Sequence, residues 1–284
     1  MALRLLLYLA LGAQGTAFVR RWITAGPAGA TRPTPADLLV GFGTDFFDTL
    51  GIGSFAPTTT LFRWLGSVPD ELIPGTLIVG HALPTIAQAV IFITIIAVDL
   101  PTLALLIAAS MLGAWLGAGV VAGWSRRSVR LGMGTALLVA AALFLASALG
   151  MLPAGGDSIA LRGWPLAVGL VGNGLFGGLM TIGIGAYAPS LILFGLLGMN
   201  LKAVFPVMMG SCAFLMPAGG MRFLHARRIA GRAALGLTLG GVPGVLCAAF
   251  LVREMPIAWL RWLVIGIVTA TAIGMLRTAW RDAD

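Results

Sequence analysis

Charge is scarce in this chain. Only 10% of its 284 residues are Asp, Glu, Lys or Arg, where soluble domains carry about a quarter. So few charges cannot cover a water-facing surface of this size, which excludes an ordinary soluble domain. Histidine occurs only at His81 and His225, and cysteine only at Cys212 and Cys247. Such sparse ligands, without a spacing pattern, exclude a disulfide scaffold and a zinc cluster. Both cysteines lie in apolar runs, where a thiol reads as a small packing group. The net charge is +8, but no basic helix interleaved with aromatics carries it, so nucleic acid is excluded as a partner. No cofactor is implied.

What is present is apolar. The chain is 59% hydrophobic with a mean hydropathy of +1.00, the composition of an all-α integral membrane protein surrounded by lipid. Runs near the 20-residue length of a span lie at 2–19, 72–98, 102–124, 129–152, 203–225, 233–252 and 258–276. The first could also be a signal peptide, with "AQG" as its cleavage site. "RRW" at 20–22 fits better the stop after a retained anchor. "TAGPAGATRPTP", 24–35, is a linker. Two further runs, 36–66 and 165–198, are too long for one simple span.

Each long run holds one copy of a phrase: "TLGIGSFAPTTTLF" at 49–62 and "TIGIGAYAPSLILF" at 181–194, identical at eight of fourteen positions. At the same offset Gly66 meets Gly198 and Pro74 meets Pro206. The chain therefore divides into an anchor and linker (1–35), a first repeat (36–152), a linker (153–164) and a second repeat (165–284). "GAWLG" at 113–117 and "GLTLGGVPG" at 236–244 are small-residue stripes that let membrane helices approach closely.

The 18 Lys and Arg residues test orientation. Single crossings by the two long runs split them almost evenly and strand "SRRSVR" (125–130) outside. If each long run instead dips in and returns, Arg20, Arg21, Arg32, Arg63, Arg126, Arg127, Arg130, Arg222, Arg227, Arg228, Arg232, Arg277 and Arg281 all face the cytoplasm. The cytoplasmic excess of basic residues favours this second arrangement. The two halves then become inverted repeats, each a re-entrant broken-helix hairpin plus three transmembrane helices. Such repeats mark secondary transporters that bind substrate near the midplane.

The phrase suits anions. Gly51 and Gly53, or Gly183 and Gly185, allow an unwound turn. Pro57 or Pro189 suits the first turn of a new helix. Thr58, Thr59 and Thr60, or Ser190, add hydroxyls beside the free N–H groups and the positive dipole end. The expected substrate site comprises Thr49, Gly51, Gly53, Ser54, Thr58 and Thr59 of the first copy. Thr181, Gly183, Gly185 and Ser190 belong to the second, with His81 and its loose counterpart Ser211 close by. Packing kinks are the other reading, weakened because the break occurs twice.

Ionisable residues inside membrane runs are functional candidates. Asp45 and Asp48 share one helical face, and with His81 they are the candidate proton carriers. The aspartates could instead pair with Arg63, and His81 could be a satisfied buried histidine. The positions aligned with Asp45 and Asp48 are Gly177 and Met180. Gln88 and Asn173 are further polar residues in the runs. An intramembrane hydrolase is the weaker alternative: aspartyl chemistry lacks a second facing Asp, and a Ser54–His81 pair lacks an oxyanion hole. An anion channel is the other alternative, separated by saturation and proton dependence.

The paired Gly-Ile-Gly-x-x-x-Pro elements, each opening a half, and "DTLGIGSFAPTTTLF" followed by "LIPGTLIVGHALPT" resemble the TauE/SafE family of sulfite and organosulfonate exporters, from residue 36 to the C-terminus. Where common members carry a third glycine this chain has Ser54 and Ala186. The resemblance implies a permease of a bacterial cytoplasmic membrane that exports small sulfur anions with the proton gradient. The implied partners are the small anionic substrate and, as a homodimer, a second copy of the chain.

Overall fold

The computed structural model describes residues 2–25, 32–151, 155–183, 185–251 and 258–281. Residues 26–31 of the 24–35 linker and residues 153 and 154 of the second linker lie outside them. The described chain is helical: α1 (Ala2–Ala25), α2 (Pro35–Thr49), α3 (Phe55–Trp64), α4 (Ile73–Gly80), α5 (Ala82–Ile95), α6 (Leu100–Val121), α7 (Arg126–Ala148), α8 (Trp164–Met180), α9 (Tyr187–Leu196), α10 (Leu201–His225), α11 (Gly231–Leu251) and α12 (Ala258–Arg281). Ser158 and Met199 form an isolated bridge, and no strand occurs among the described residues. Stretches Ala2–Thr24, Asp70–Ile95, Leu100–Val121, Leu201–His225 and Gly231–Phe250 are long and apolar enough to cross a membrane. The protein is an all-α membrane protein.

Local chemistry sets the element ends. Thr34 and Asp37 form a capping box at the start of α2, and Pro35 supplies the first helical position. Asp99 caps α6 by accepting from the Thr102 amide at 3.0 Å. Between α4 and α5 the helix is interrupted at His81. Pro84 has no N–H to offer the Gly80 carbonyl; Thr238 on α11 donates to that carbonyl instead, at 2.7 Å.

The glycine stripes set the crossings. Gly113 and Gly117 on α6 lie directly against the backbone of Gly174 and Gly178 on α8. Gly236, Gly240 and Gly244 on α11 lie against Asp37, Leu38 and Phe42 on α2. A Cβ at these close approaches would collide with backbone, so the sequence reading of these stripes holds. α7 and α12 run antiparallel: Arg127 Nε donates to the Ala279 carbonyl at 3.3 Å, and Gly134 faces Ala272 and Leu276. α10 also runs antiparallel to α4 and α5, with Gly220 beside Val79 and Gly210 beside Ile93.

Contacts at the two ends of the bundle fix the path of each broken helix. Arg232 reaches Asp37 at the start of α2 (3.4 Å) and the Ser67 carbonyl just after α3 (3.3 Å). The chain thus leaves α3 at the end of the molecule where it began α2. At the opposite end, Leu161 before α8 and Met199 after α9 are tied together through residues 156–161: Gly156 N–H donates to the Met199 carbonyl at 3.0 Å, and Asn200 N–H to the Ser158 carbonyl at 2.8 Å. Arg63 and Arg130 both bind Asp70, at 3.4 and 2.6 Å, and Arg126 binds Glu71 at 3.4 Å. These ion pairs gather the end of α3, the turn at Asp70–Leu72 and the start of α7 on one face.

Candidate functional site

The first break begins where α2 stops. The Gly51 amide donates to the Asp48 carbonyl at 2.8 Å and the Ile52 amide to the Phe47 carbonyl at 3.1 Å, a Schellman ending that requires left-handed backbone at Gly51. Gly51 has φ +93° and Gly53 +86°. In the second copy α8 loosens through short turns at Thr181 and Ile182 before Gly183, at φ +100°. The new helices α3 and α9 start at Ser54 and Ala186, and neither N-terminus has a side-chain cap. No side chain satisfies their first amides, and the Ser54 amide, directly after Gly53, donates to the Asp48 carboxylate.

The two breaks meet. A Cβ at Gly51 would lie 2.5 Å from the Tyr187 hydroxyl oxygen. Between the breaks is a cavity of about 30 Å³, lined by Asp48, Gly53 and Ser54 from one side and Met180, Gly185 and Tyr187 from the other. Phe55, Ala186, Thr85 on α5 and Met208, Met209, Cys212 and Met216 on α10 complete its wall, and no basic side chain among the described residues lines it. A smaller apolar cavity shares Gly53, Phe55, Gly185 and Tyr187 with the first, so these four residues form the partition between them.

Behind the first break runs a buried polar chain. The Asp45 carboxylate lies 2.9 Å from His81 Nδ1, and His81 Nε2 lies 3.1 Å from Thr58 Oγ1. Thr58 donates its own proton to the Ser54 carbonyl at 2.7 Å, so it accepts from His81 Nε2–H. One further proton is then shared between Nδ1 and Asp45. All three side chains are fully buried, and the Phe55 ring packs on the imidazole with centroids 5.8 Å apart. Removing one partner of such a buried pair costs about 3–5 kcal/mol. Gln88 Nε2 donates to Asp48 Oδ2 and to Thr49 Oγ1, both at 3.0 Å.

The residues singled out in the sequence separate into groups. Asp48, Gly53, Ser54 and Gly185 come together around the cavity. Asp45, His81 and Thr58 join in the chain behind it. Gly51 and Gly183 shape the breaks. Thr49 is held by Gln88, and Thr181 donates to the Gly178 carbonyl at 2.6 Å. Ser211 accepts from Asn173 Nδ2 at 2.8 Å. The hydroxyls of Thr59 and Ser190 are buried without a hydrogen-bond partner among the described residues, and neither residue lines the cavity. Arg63 pairs with Asp70 rather than with Asp45 or Asp48, because α3 returns it to the end of the bundle.

Sequence reasoning missed Thr85 and the methionine wall. Thr85 is 1% exposed, lines the cavity and has a hydroxyl without a hydrogen-bond partner among the described residues. No motif surrounds it. The wall did leave a trace: Met208, Cys212 and Met216 recur at i, i+4 and i+8 on one face of α10. Cys212 Sγ reaches the sulfur of Met180 at 3.5 Å.

Helix starts without side-chain caps that meet at a cavity are a setting in which backbone amides can receive a small anion. Comparison with known proteins agrees. The family described as sulfite exporter TauE/SafE matches residues 38–275, which contain both breaks. No curated protein and no solved structure matches. A match over that much of the chain shows its family: the protein belongs to the sulfite exporter TauE/SafE family, a family of membrane transporters.

Proposed function

We propose that the protein is a proton-coupled exporter of sulfite, sulfonates or related small sulfur anions in a bacterial cytoplasmic membrane. The observation that carries this reading is the meeting of the two Gly-Pro breaks at one cavity without a basic side chain. The anion is held by the amides that follow Gly53 and Gly185, with hydroxyls at Ser54 and Thr85. Each charge-assisted hydrogen bond contributes about 1.5–3 kcal/mol; two or three give weak, releasable binding. Thr58 and His81 act from behind the break, and Thr59 and Ser190 supply hydroxyls when the breaks rearrange.

Residues 36–152 and 165–284 are inverted repeats in this reading, joined by residues 153–164 and preceded by the anchor at 1–35. The antiparallel pairing of α7 with α12, which occupy matching places in the two halves, supports it. So does the return of each broken helix to its own end. The face carrying Arg63, Arg126, Arg130 and Arg232 is cytoplasmic by the excess of basic residues.

A channel would conduct without a conformational cycle. Counterflow in proteoliposomes separates the two. Vesicles loaded with unlabelled sulfite should transiently accumulate labelled sulfite from outside, saturably. Uptake that rises linearly with concentration, without counterflow, would leave only the channel; no sulfite or sulfonate movement at all would remove the function.

A further inference from the structure

We infer that the methionine wall makes the site selective for sulfur oxyanions with one oxygen-free face, and that it rejects tetrahedral anions with four oxygens. The inference rests on the anion-site reading above.

Side-chain hydrogen-bond donors are few in the lining of the cavity. The break amides and the hydroxyls of Ser54 and Thr85 can donate. Most of the remaining side-chain wall is sulfur, from Met180, Met208, Met209, Cys212 and Met216, with Phe55 and Ala186 beside them. A thioether has no donor at all, and a thiol is a weak one. Both are polarisable and favour apolar or soft contacts. The carboxylate of Asp48 is an acceptor, already bound by Gln88.

An anion placed here turns its oxygens to the donors and its remaining direction to the sulfurs. In sulfite that direction is a lone pair, in a sulfonate a carbon, in thiosulfate a terminal sulfur. In sulfate it is a fourth oxygen, buried against groups that cannot donate. Leaving one charged acceptor unsatisfied weakens binding by about tenfold or more. The cavity, at about 30 Å³, holds only a water or two. Admission of any of these ions therefore moves the wall, and methionine is the side chain best able to re-pack.

The two halves divide this work. Asp48 in the first half is replaced by Met180 in the second, so the first break keeps the carboxylate and the second contributes sulfur. The selectivity comes from divergence between the repeats, not from the repeated phrase.

The test is titration of the purified full-length protein, at matched ionic strength, with thiosulfate, sulfate and methanesulfonate. Thiosulfate and sulfate carry equal charge and differ only in the fourth atom. Thiosulfate and methanesulfonate should bind, with sulfate about tenfold or more weaker than thiosulfate. Cys212→Ser places an O–H donor in the wall and should recover most of the sulfate loss, whereas Cys212→Ala should not. Equal affinities for thiosulfate and sulfate in the unaltered protein would overturn the inference while leaving the anion site standing. Failure of all three anions to bind would remove the site itself, and the inference with it. The unaltered protein decides between these outcomes even if a variant does not fold.

Discussion

Asp48→Asn is expected to abolish the proton dependence of sulfite transport and leave the protein folded. Asp48 is the carboxylate that lines the cavity. Gln88 and Thr49 adjoin it, Asp45 and His81 lie behind it on the same side, and Cys212 faces it from α10. An anion and an ionised Asp48 compete for the same few donors. Loading therefore favours the protonated carboxyl, so proton and anion cross together, and outward movement is driven by the anion's own gradient and by a more acidic cytoplasmic side. A one-unit pH gradient is worth about 1.4 kcal/mol per proton, or about tenfold in accumulated substrate. In the asparagine variant that tenfold should vanish, with flux independent of the gradient. Asparagine keeps the size and an acceptor for Gln88, so the fold should survive. Asp45→Asn and His81→Ala are poorer probes, because each also breaks a fully buried pair. Retention of the full gradient effect by Asp48→Asn would move the coupling to Asp45 and His81.

Gly53→Leu is expected to eliminate transport altogether. Gly53 has φ +86°, a conformation that costs an L-residue about 1–2 kcal/mol. Its missing Cβ points into open space, so the leucine side chain would occupy the cavity itself. Gly185→Leu should do the same from the other repeat, since a Cβ there also meets nothing within 4 Å. Gly53→Ala adds only the strain and one methyl and should retain partial flux. At Gly51 the obstacle is different: even alanine would strike the Tyr187 hydroxyl and push the two breaks apart. Labelled-sulfite flux, with monodispersity as the check on folding, reads all four. Wild-type flux in both leucine variants would show that the cavity between the breaks is not on the path.

The sequence makes the backbone of this protein legible and hides most of its side-chain pairing. Gly51, Gly53, Gly183 and their prolines reveal the breaks because a left-handed turn inside an apolar run leaves few residue choices. Gly113, Gly117, Gly236, Gly240 and Gly244 reveal the tight crossings because a Cβ there would meet the backbone of the neighbouring helix. The arginines mark element ends: Arg63 closes α3, Arg126 opens α7 and Arg232 stands at the start of α11. By contrast, Asp45 and Thr58 come from α2 and α3 and His81 from the interruption between α4 and α5, and no local periodicity says that they touch. Arg63 was a plausible partner for the aspartates by sequence distance; α3 instead carries it away to Asp70. Thr85 and Met180 look like ordinary helix residues until the cavity between the halves brings them together. Met208, Cys212 and Met216 had a readable spacing, but an apolar stripe on a buried helix is usually core, and only the cavity distinguishes the two.

The central claim is that one small anion is held jointly by both breaks. Anion protection of single cysteines tests it most directly. Ser54→Cys and Ala186→Cys are introduced separately into a chain carrying Cys212→Ala and Cys247→Ala, and their maleimide labelling is followed with rising methanesulfonate, which does not consume the reagent. The account predicts that both positions are protected, with the same half-protecting concentration, because the same ion covers both helix starts. Protection at neither position, or at one while the other labels at its full rate, would contradict it.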